Sequence, residues 1–332
     1  MNRHVSHLPR QKVALIFSNI GLPLPEKGED PVAPVEKFLL KYPELSLLAD
    51  LKPSFFAYTG SQFDFWRELS ATIVRDHDQY DAWVIVADPR SITYPAVALS
   101  FILEGLDKPV IFTSIPSAEQ AIPWLKSDPL FSGDPSFGFH ANLINAIQFA
   151  VSGPAEVAIA FGGKAIRATK VVLTGHVGLK FMESLDDSSV SKVGLDIDPA
   201  EEDLDVLKPS ALRIVDQFEG DIDMLSVPPI GGSDYFSRRV KPSKLVILDI
   251  SSVGYLPPLW LEIVRYHPNT IFVLYSRYKR PEVSEQLDNL LLSPAVTPEV
   301  AFIKISWLYP RFSQKKDLQR MLDLNIRGEL SV

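Results

Sequence analysis

Short unbroken apolar runs recur along the chain, separated by stretches in which apolar residues return every three or four positions. The runs are Val13–Phe17, Ser54–Tyr58, Trp83–Ala87, Val110–Thr113, Val157–Phe161, Val193–Ile197, Leu245–Ile250 and Ile271–Tyr275. They do not alternate apolar with polar residues, and most are rich in β-branched side chains. That is the pattern of strands covered on both faces. Helical spacing appears over Gln62–Arg75, Tyr94–Leu106, Asn142–Val151, Pro258–Tyr266 and Glu299–Trp307. Ser61, with Asp64 three residues on, has the form of a capping box for the first of these. Thr297 followed by Pro298 supplies an N-cap and a first helical residue for the last. Strands alternating with helices predict an α/β fold with a mostly parallel sheet and right-handed crossovers.

The alternation lapses over residues 198–221, an acidic stretch of weak apolar periodicity. It divides the chain into a flexible leader 1–12, an N-terminal domain 13–197, an acidic linker 198–221 and a C-terminal domain 222–332. A chain of 332 residues is long enough for two domains of ordinary size.

Composition narrows the functions open to the chain. The formal net charge is −8, and nucleic acid or an anionic membrane as main partner calls for a basic face instead. With no cysteine in the sequence, disulfides and thiolate chemistry are excluded. No apolar run approaches the roughly 18 residues that span a bilayer, and the expected location is cytoplasmic. The six histidines lack metal-ligand spacing outside His4 and His7, so no metal is expected. Gly162-Gly163-Lys164 lacks the frame of a phosphate loop and reads as a turn at a strand end, and no cofactor is expected.

Five separated segments resemble type I, cytoplasmic-type L-asparaginases, in order and at fitting spacing. They are Tyr80–Pro116 (YDAWVIVADPRSITYPAVALSFILEGLDKPVIFTSIP), Asn142–Ala150 (NLINAIQFA), Phe161–Lys170 (FGGKAIRATK), Thr297–Pro310 (TPEVAFIKISWLYP) and Asn325–Leu330 (NIRGEL). The resemblance implies a two-domain asparaginase-like fold, with a large mostly parallel N-terminal sheet and a smaller α/β C-terminal domain. It also implies a homodimer or homotetramer, and a site at the C-terminal ends of the N-domain strands.

The family's chemistry, as the resemblance implies it, uses two threonines, an aspartate and a distant lysine, because a hydroxyl attacks an amide only beside a base. Here the first threonine loop has shrunk to Ser18-Asn19, with Ile20-Gly21 retained. The family's H-G-T-D-T falls on Ala87-Asp88-Pro89-Arg90-Ser91. Pro89 replaces the relay threonine, Arg90 reverses the aspartate's charge, and Ser91 keeps a hydroxyl. The substrate loop falls on Ala57-Tyr58-Thr59-Gly60. Lys170 remains, with Arg90 as its expected neighbour in place of a carboxylate. Candidate catalytic residues are therefore Lys170, Ser18 and Ser91, in a degenerate site that includes Pro89 and Arg90. Candidate substrate-binding residues are Tyr58, Thr59, Asp88 and Arg90. Ser18 has a structural alternative as a strand-end turn residue and Lys170 as a remnant at a strand exit, while Asp64, a stand-in for the family's substrate-clamping aspartate, reads as a helix N-terminal acid. The expected function is an asparaginase-like pseudoenzyme with a binding, assembly or regulatory role. The alternatives are an active amidohydrolase with a rearranged site, or a sensor of small carboxylates. An unidentified protein partner and a small carboxylate or amide ligand complete the expectations.

Overall fold

A computed structural model describes residues 10–18, 42–57, 60–89, 91–114, 135–174, 182–186, 191–192, 211–229, 243–312 and 314–330, with isolated positions between 30 and 40. The described residues form two compact units that divide after Ile214.

The first unit contains β1 (Lys12–Ser18), α1 (Leu45–Leu48), β2 (Asp50–Phe56), α2 (Gln62–Arg75), β3 (Ala82–Ala87), α3 (Thr93–Ile102), β4 (Leu103–Glu104), β5 (Val110–Ser114) and α4 (Pro135–Ser152). It continues through β6 (Val157–Phe161), β7 (Lys164–Arg167), β8 (Val171–Leu173), β9 (Met182–Ser184), β10 (Ser191–Lys192) and β11 (Arg213–Ile214). Its main sheet runs in the order β10-β7-β6-β5-β3-β1-β2. From β2 to β6 every pairing is parallel, and β7 and β10 add an antiparallel edge. The unbroken apolar runs are explained at once, since all six residues of β3 are buried. On one face Val13, Leu15, Phe17, Val84, Val86 and Ile111 pack against Leu143, Ala146, Ile147 and Ala150 of α4. At about 25 cal/mol per Å² of apolar surface, such packing dominates the stability of the unit.

Local chemistry sets the element ends. Ser61 Oγ accepts from the Asp64 amide at 3.3 Å and donates to its carboxylate at 2.5 Å, the capping box expected for α2. Asp64 also holds Arg67, and the hydrogen bond from Ser61 holds its carboxyl below the usual range. Asp64 is thus a helix-start acid. Gly162 and Gly163 have φ of 60° and 81°. They close the β6–β7 hairpin across the pair Phe161–Lys164, a two-residue turn that needs positive φ at both positions. The segment read as a turn is therefore a hairpin. Strand β2 begins before the expected Ser54, at Asp50, and carries Pro53 opposite Leu15. Proline is tolerated there because β2 is the sheet edge. The expected strand Val193–Ile197 lies outside the described residues. The expected linker 198–221 is narrowed at its end: Arg213–Ile214 pairs antiparallel with β4, and Arg213 binds the buried Glu104 at 2.7 Å.

The second unit has a parallel sheet in the order β12-β13-β14-β15, made of Ile222–Ser226, Leu245–Asp249, Ile271–Tyr275 and Leu290–Leu292. With it go α5 (Pro258–Tyr266), α6 (Pro298–Leu308) and α7 (Lys315–Leu322). Thr297 Oγ1 accepts from Val300 N at 3.3 Å, as its sequence context predicts for an N-cap. Trp260, Ile263 and Val264 of α5 pack on Val246, Leu248, Phe272 and Leu274. Among the described residues no helix is long and apolar enough to cross a membrane.

Tyr275 lies in this core and donates its hydroxyl to Val296 O at 2.9 Å. Burial, with Asp249 adding to it, holds its phenol well above the ordinary range. The phenol stays neutral in the fold, while an unfolded one ionises near pH 10. Its contribution is therefore complete below about pH 10 and is lost as pH rises beyond that. Tyr275→Phe is expected to cost about 1 kcal/mol at neutral pH. It is also expected to flatten the alkaline fall in urea midpoint, and urea titrations on either side of about pH 10 check both. An unchanged alkaline slope would assign that fall to other groups.

Candidate functional site

Strand order places the first crevice. β2 lies on one side of β1 and β3 on the other, so the chain reverses direction between β1 and β3. In open parallel sheets such a reversal opens a cleft at the carboxyl ends of the strands. Ser18 ends β1 and is fully buried. Continuing the Phe17–Val86 register sets Ser18 beside Ala87, which in turn pairs with Ser114 at the end of β5. Residues in one such row point to one face of the sheet. Ser18, Ala87 and Ser114 thus share the face opposite the one carrying Phe17 and Val86, which packs on α4. Thr113, next to Ser114, donates to Ala160 O at 3.0 Å. The Ser114 hydroxyl is buried and has no hydrogen-bond partner among the described residues.

After Ala87 the chain makes a tight turn. The amide of Ser91 donates to Asp88 O at 3.1 Å, and the Ser91 hydroxyl reaches the same carbonyl at 3.4 Å. Asp at the first position and Pro at the second are what such a turn favours. Pro89 is therefore an integral turn residue, and the turn leads directly into α3. Asp88 is buried at the head of this turn.

Lys170 follows β7. It ends the single 3-10 turn Ala168–Lys170, which packs against α3 and β6. Only 1% of its side chain is exposed. Its ammonium donates to the carboxylate of Asp186, whose other oxygen accepts from Ser184 Oγ at 3.0 Å. Hairpin register explains the meeting. Val171 pairs with Ser184, and Leu185 N donates to Lys170 O at 2.8 Å, which brings Asp186 to the lysine. The expectation that Lys170 stands without a carboxylate is corrected here. Its carboxylate comes from the segment that follows β9, instead of from the Asp88–Ser91 turn.

Ser18, Asp88, Pro89, Ser91 and Lys170 thus all lie at strand ends or connections of the first unit. Arg90, Tyr58 and Thr59 lie outside the described residues. Two residues were not singled out from sequence. Ser114 sits in a strand run whose apolar members dominate the pattern. Asp186 lies in SLDD, an acidic stretch without periodicity, and only pairing of β8 with β9 connects it to Lys170. No group of histidine and acidic side chains among the described residues is arranged to hold a metal ion.

In the second unit, Gly254 adopts φ 77° and donates to Ile250 O at 2.7 Å. This explains the glycine in Ser252–Pro257, where Tyr255 is half exposed.

Comparison with known proteins agrees with this architecture. The family model described as Asparaginase, N-terminal, matches residues 25–203. A glutamyl-tRNA(Gln) amidotransferase component of Thermococcus kodakarensis is 24% identical over 323 residues, covering 89% of this chain and 70% of that protein. L-asparaginase of Dirofilaria immitis is 26% identical over 288 residues, covering 81% of this chain and 46% of that protein. Among solved structures, L-asparaginase I of Vibrio cholerae superposes with a TM-score of 0.74 at 21% identity, over 97% of this chain and all of that one.

Proposed function

Because the chain belongs to the asparaginase family, we propose that it is a member that no longer hydrolyses amides and acts through binding, assembly or regulation. The observation that carries this reading is the Asp88–Ser91 turn. Pro89 stands where the relay threonine is expected and offers neither a hydroxyl nor an amide hydrogen. The one hydroxyl left in the turn, that of Ser91, is directed at a backbone carbonyl at 3.4 Å, and among the described residues no base is hydrogen-bonded to it. Lys170 is engaged with Asp186. A nucleophile, a base beside it and a group that orients the base act as a unit, and loss of one member removes most of the rate.

One relative is by name a subunit of a glutamyl-tRNA(Gln) amidotransferase. That supports assembly, with protein partners or with further copies of the chain as a homodimer or homotetramer. The alternative of an active amidohydrolase draws on Ser18 and Ser114, two buried hydroxyls in one row at the crevice. A sensor of small carboxylates would use the same crevice.

Purified protein is expected to release no ammonia from asparagine or glutamine beyond the level of a Lys170→Ala variant. Turnover that disappears in that variant would replace this reading with the hydrolase. A rise in melting temperature on adding aspartate, without turnover, would assign the sensor role.

A further inference from the structure

A sheet edge is a row of unpaired backbone groups, and proteins blunt such edges to prevent pairing with other chains. Three of the four edges of the two main sheets are blunted. β2 carries Pro53 and a Lys52–Asp50 ion pair, and β10 is two residues long. β15 is capped by a side chain: Gln319 donates to Leu292 O at 2.9 Å and accepts from Leu292 N at 2.8 Å, as a neighbouring strand would.

β12 is the exception. Its sequence, Ile222-Asp223-Met224-Leu225-Ser226, holds no proline and no lysine. Leu245 N donates to Asp221 O, and Val227 N donates to Asp249 O. By parallel register the odd-numbered residues therefore bond to β13. Ile222, Met224 and Ser226 turn their N–H and C=O groups outward, and no described strand pairs with that side. The charges that would repel another chain are also occupied. Ser243 donates to the Asp223 carboxylate, Lys244 N reaches Asp221 at 3.2 Å, and Lys244 Nζ reaches Glu219 at 3.1 Å.

We infer that β12 is a self-association edge, pairing antiparallel with β12 of a second copy across a twofold axis at Met224. The inference takes the self-association proposed above as its premise and names the surface. The register follows from the chain itself. A twofold axis at Met224 sets Ile222 against Ser226 of the partner subunit and Met224 against itself, so every outward group of the strand is bonded. An axis shifted to Leu225 would set Ile222 against Pro228, which has no N–H to give. The same register lays the acidic flank Glu219–Asp223 along the uncharged Ser226–Pro229 of the other copy, avoiding a like-charge contact. The two four-stranded sheets then become one continuous sheet, and an isologous contact of this kind closes on itself and stops at two copies.

The cysteine-free sequence makes the test direct. Paired residues across such an axis lie about 5.5 Å apart at Cα, within disulfide reach. Met224→Cys is expected to form a covalent dimer under mild oxidation in dilute solution. Leu47→Cys, exposed on α1 of the other unit, is expected to form no covalent dimer under the same conditions. Met224→Pro removes an outward N–H and leaves the β13 ladder intact. By sedimentation velocity it is expected to shift the protein from dimer to monomer with unchanged far-ultraviolet circular dichroism. Met224→Lys, which sets two ammonium groups on the axis, gives the same shift if the proline variant fails to fold. A dimer that persists in these variants, with no cross-link at position 224, overturns this surface and leaves self-association standing elsewhere. A monomeric parent protein overturns both.

Discussion

Replacing Glu329 with alanine is expected to lower the stability of the second unit by about 3–5 kcal/mol, the range for breaking a buried ion pair by removing one partner. Lys304 of α6 and Glu329 are both essentially inaccessible and meet at 2.5 Å. Lys304 Nζ also donates to Leu322 O at 2.8 Å and Leu324 O at 2.6 Å. The Glu329 carboxylate in turn accepts from Ile326 N at 3.1 Å and Arg327 N at 2.6 Å. Every charge in the cluster is thus compensated, and helix α6 is tied to the segment after α7. Burial pushes the Lys304 ammonium below the ordinary lysine range, and Glu329 pulls it back. Without the glutamate the lysine falls further.

The sign of the pH effect follows. With a depressed folded value the unfolded chain binds more protons in the window below about 10.5, so the variant gains stability as pH rises through that window. Guanidinium titrations of Glu329→Ala at neutral and alkaline pH measure both effects. The paired replacement Lys304→Met with Glu329→Leu is expected to cost far less than the single change, because no uncompensated charge remains. A single-variant loss under about 1 kcal/mol would mean that the pair does not anchor the unit.

The second large effect is an asymmetry at the Lys170–Asp186 pair. Asp186→Ala leaves a lysine with 1% exposure without its carboxylate, and the expected cost is about 2–3 kcal/mol. Lys170→Met leaves Asp186, whose side chain is 23% exposed and still bonded to Ser184. Water takes over part of the lysine's role there, and about 1 kcal/mol is expected. Thermal or chemical denaturation of the two variants compares them directly. Equal losses would show that both groups are equally able to reach solvent, contrary to the buried position of Lys170. The same pair of variants separates stability from chemistry, since neither is expected to change ammonia release in a protein that has none.

The central strands were legible because burial on both faces leaves unbroken apolar runs, as in β1, β3, β6, β13 and β14. Helix starts were legible where a side chain caps them, at Ser61 and Thr297. Short edge elements were not. β4, β10 and β11 are two residues long, and pairing partners distant in sequence create them, not local preference. Among the candidate residues, Ser18, Asp88, Ser91 and Lys170 could be named from motif positions. Asp186 could not, because its role depends on the return of a hairpin across residues without pattern. Gln319 and Glu329 carry the same lesson: side chains that satisfy distant backbone or charge leave no periodic trace.

The pairing of β11 with β4 has a consequence for how such a chain can be inherited. The first unit extends into the acidic stretch, since Arg213 and Ile214 pair with β4 inside it. A recombination joint placed in the acidic stretch before Arg213 would therefore strip the first unit of its last strand. It would also leave the carboxylate of Glu104 without Arg213. Exchange of one half for another preserves both only when the joint falls beyond Ile214, so β11 sets where a viable joint can lie.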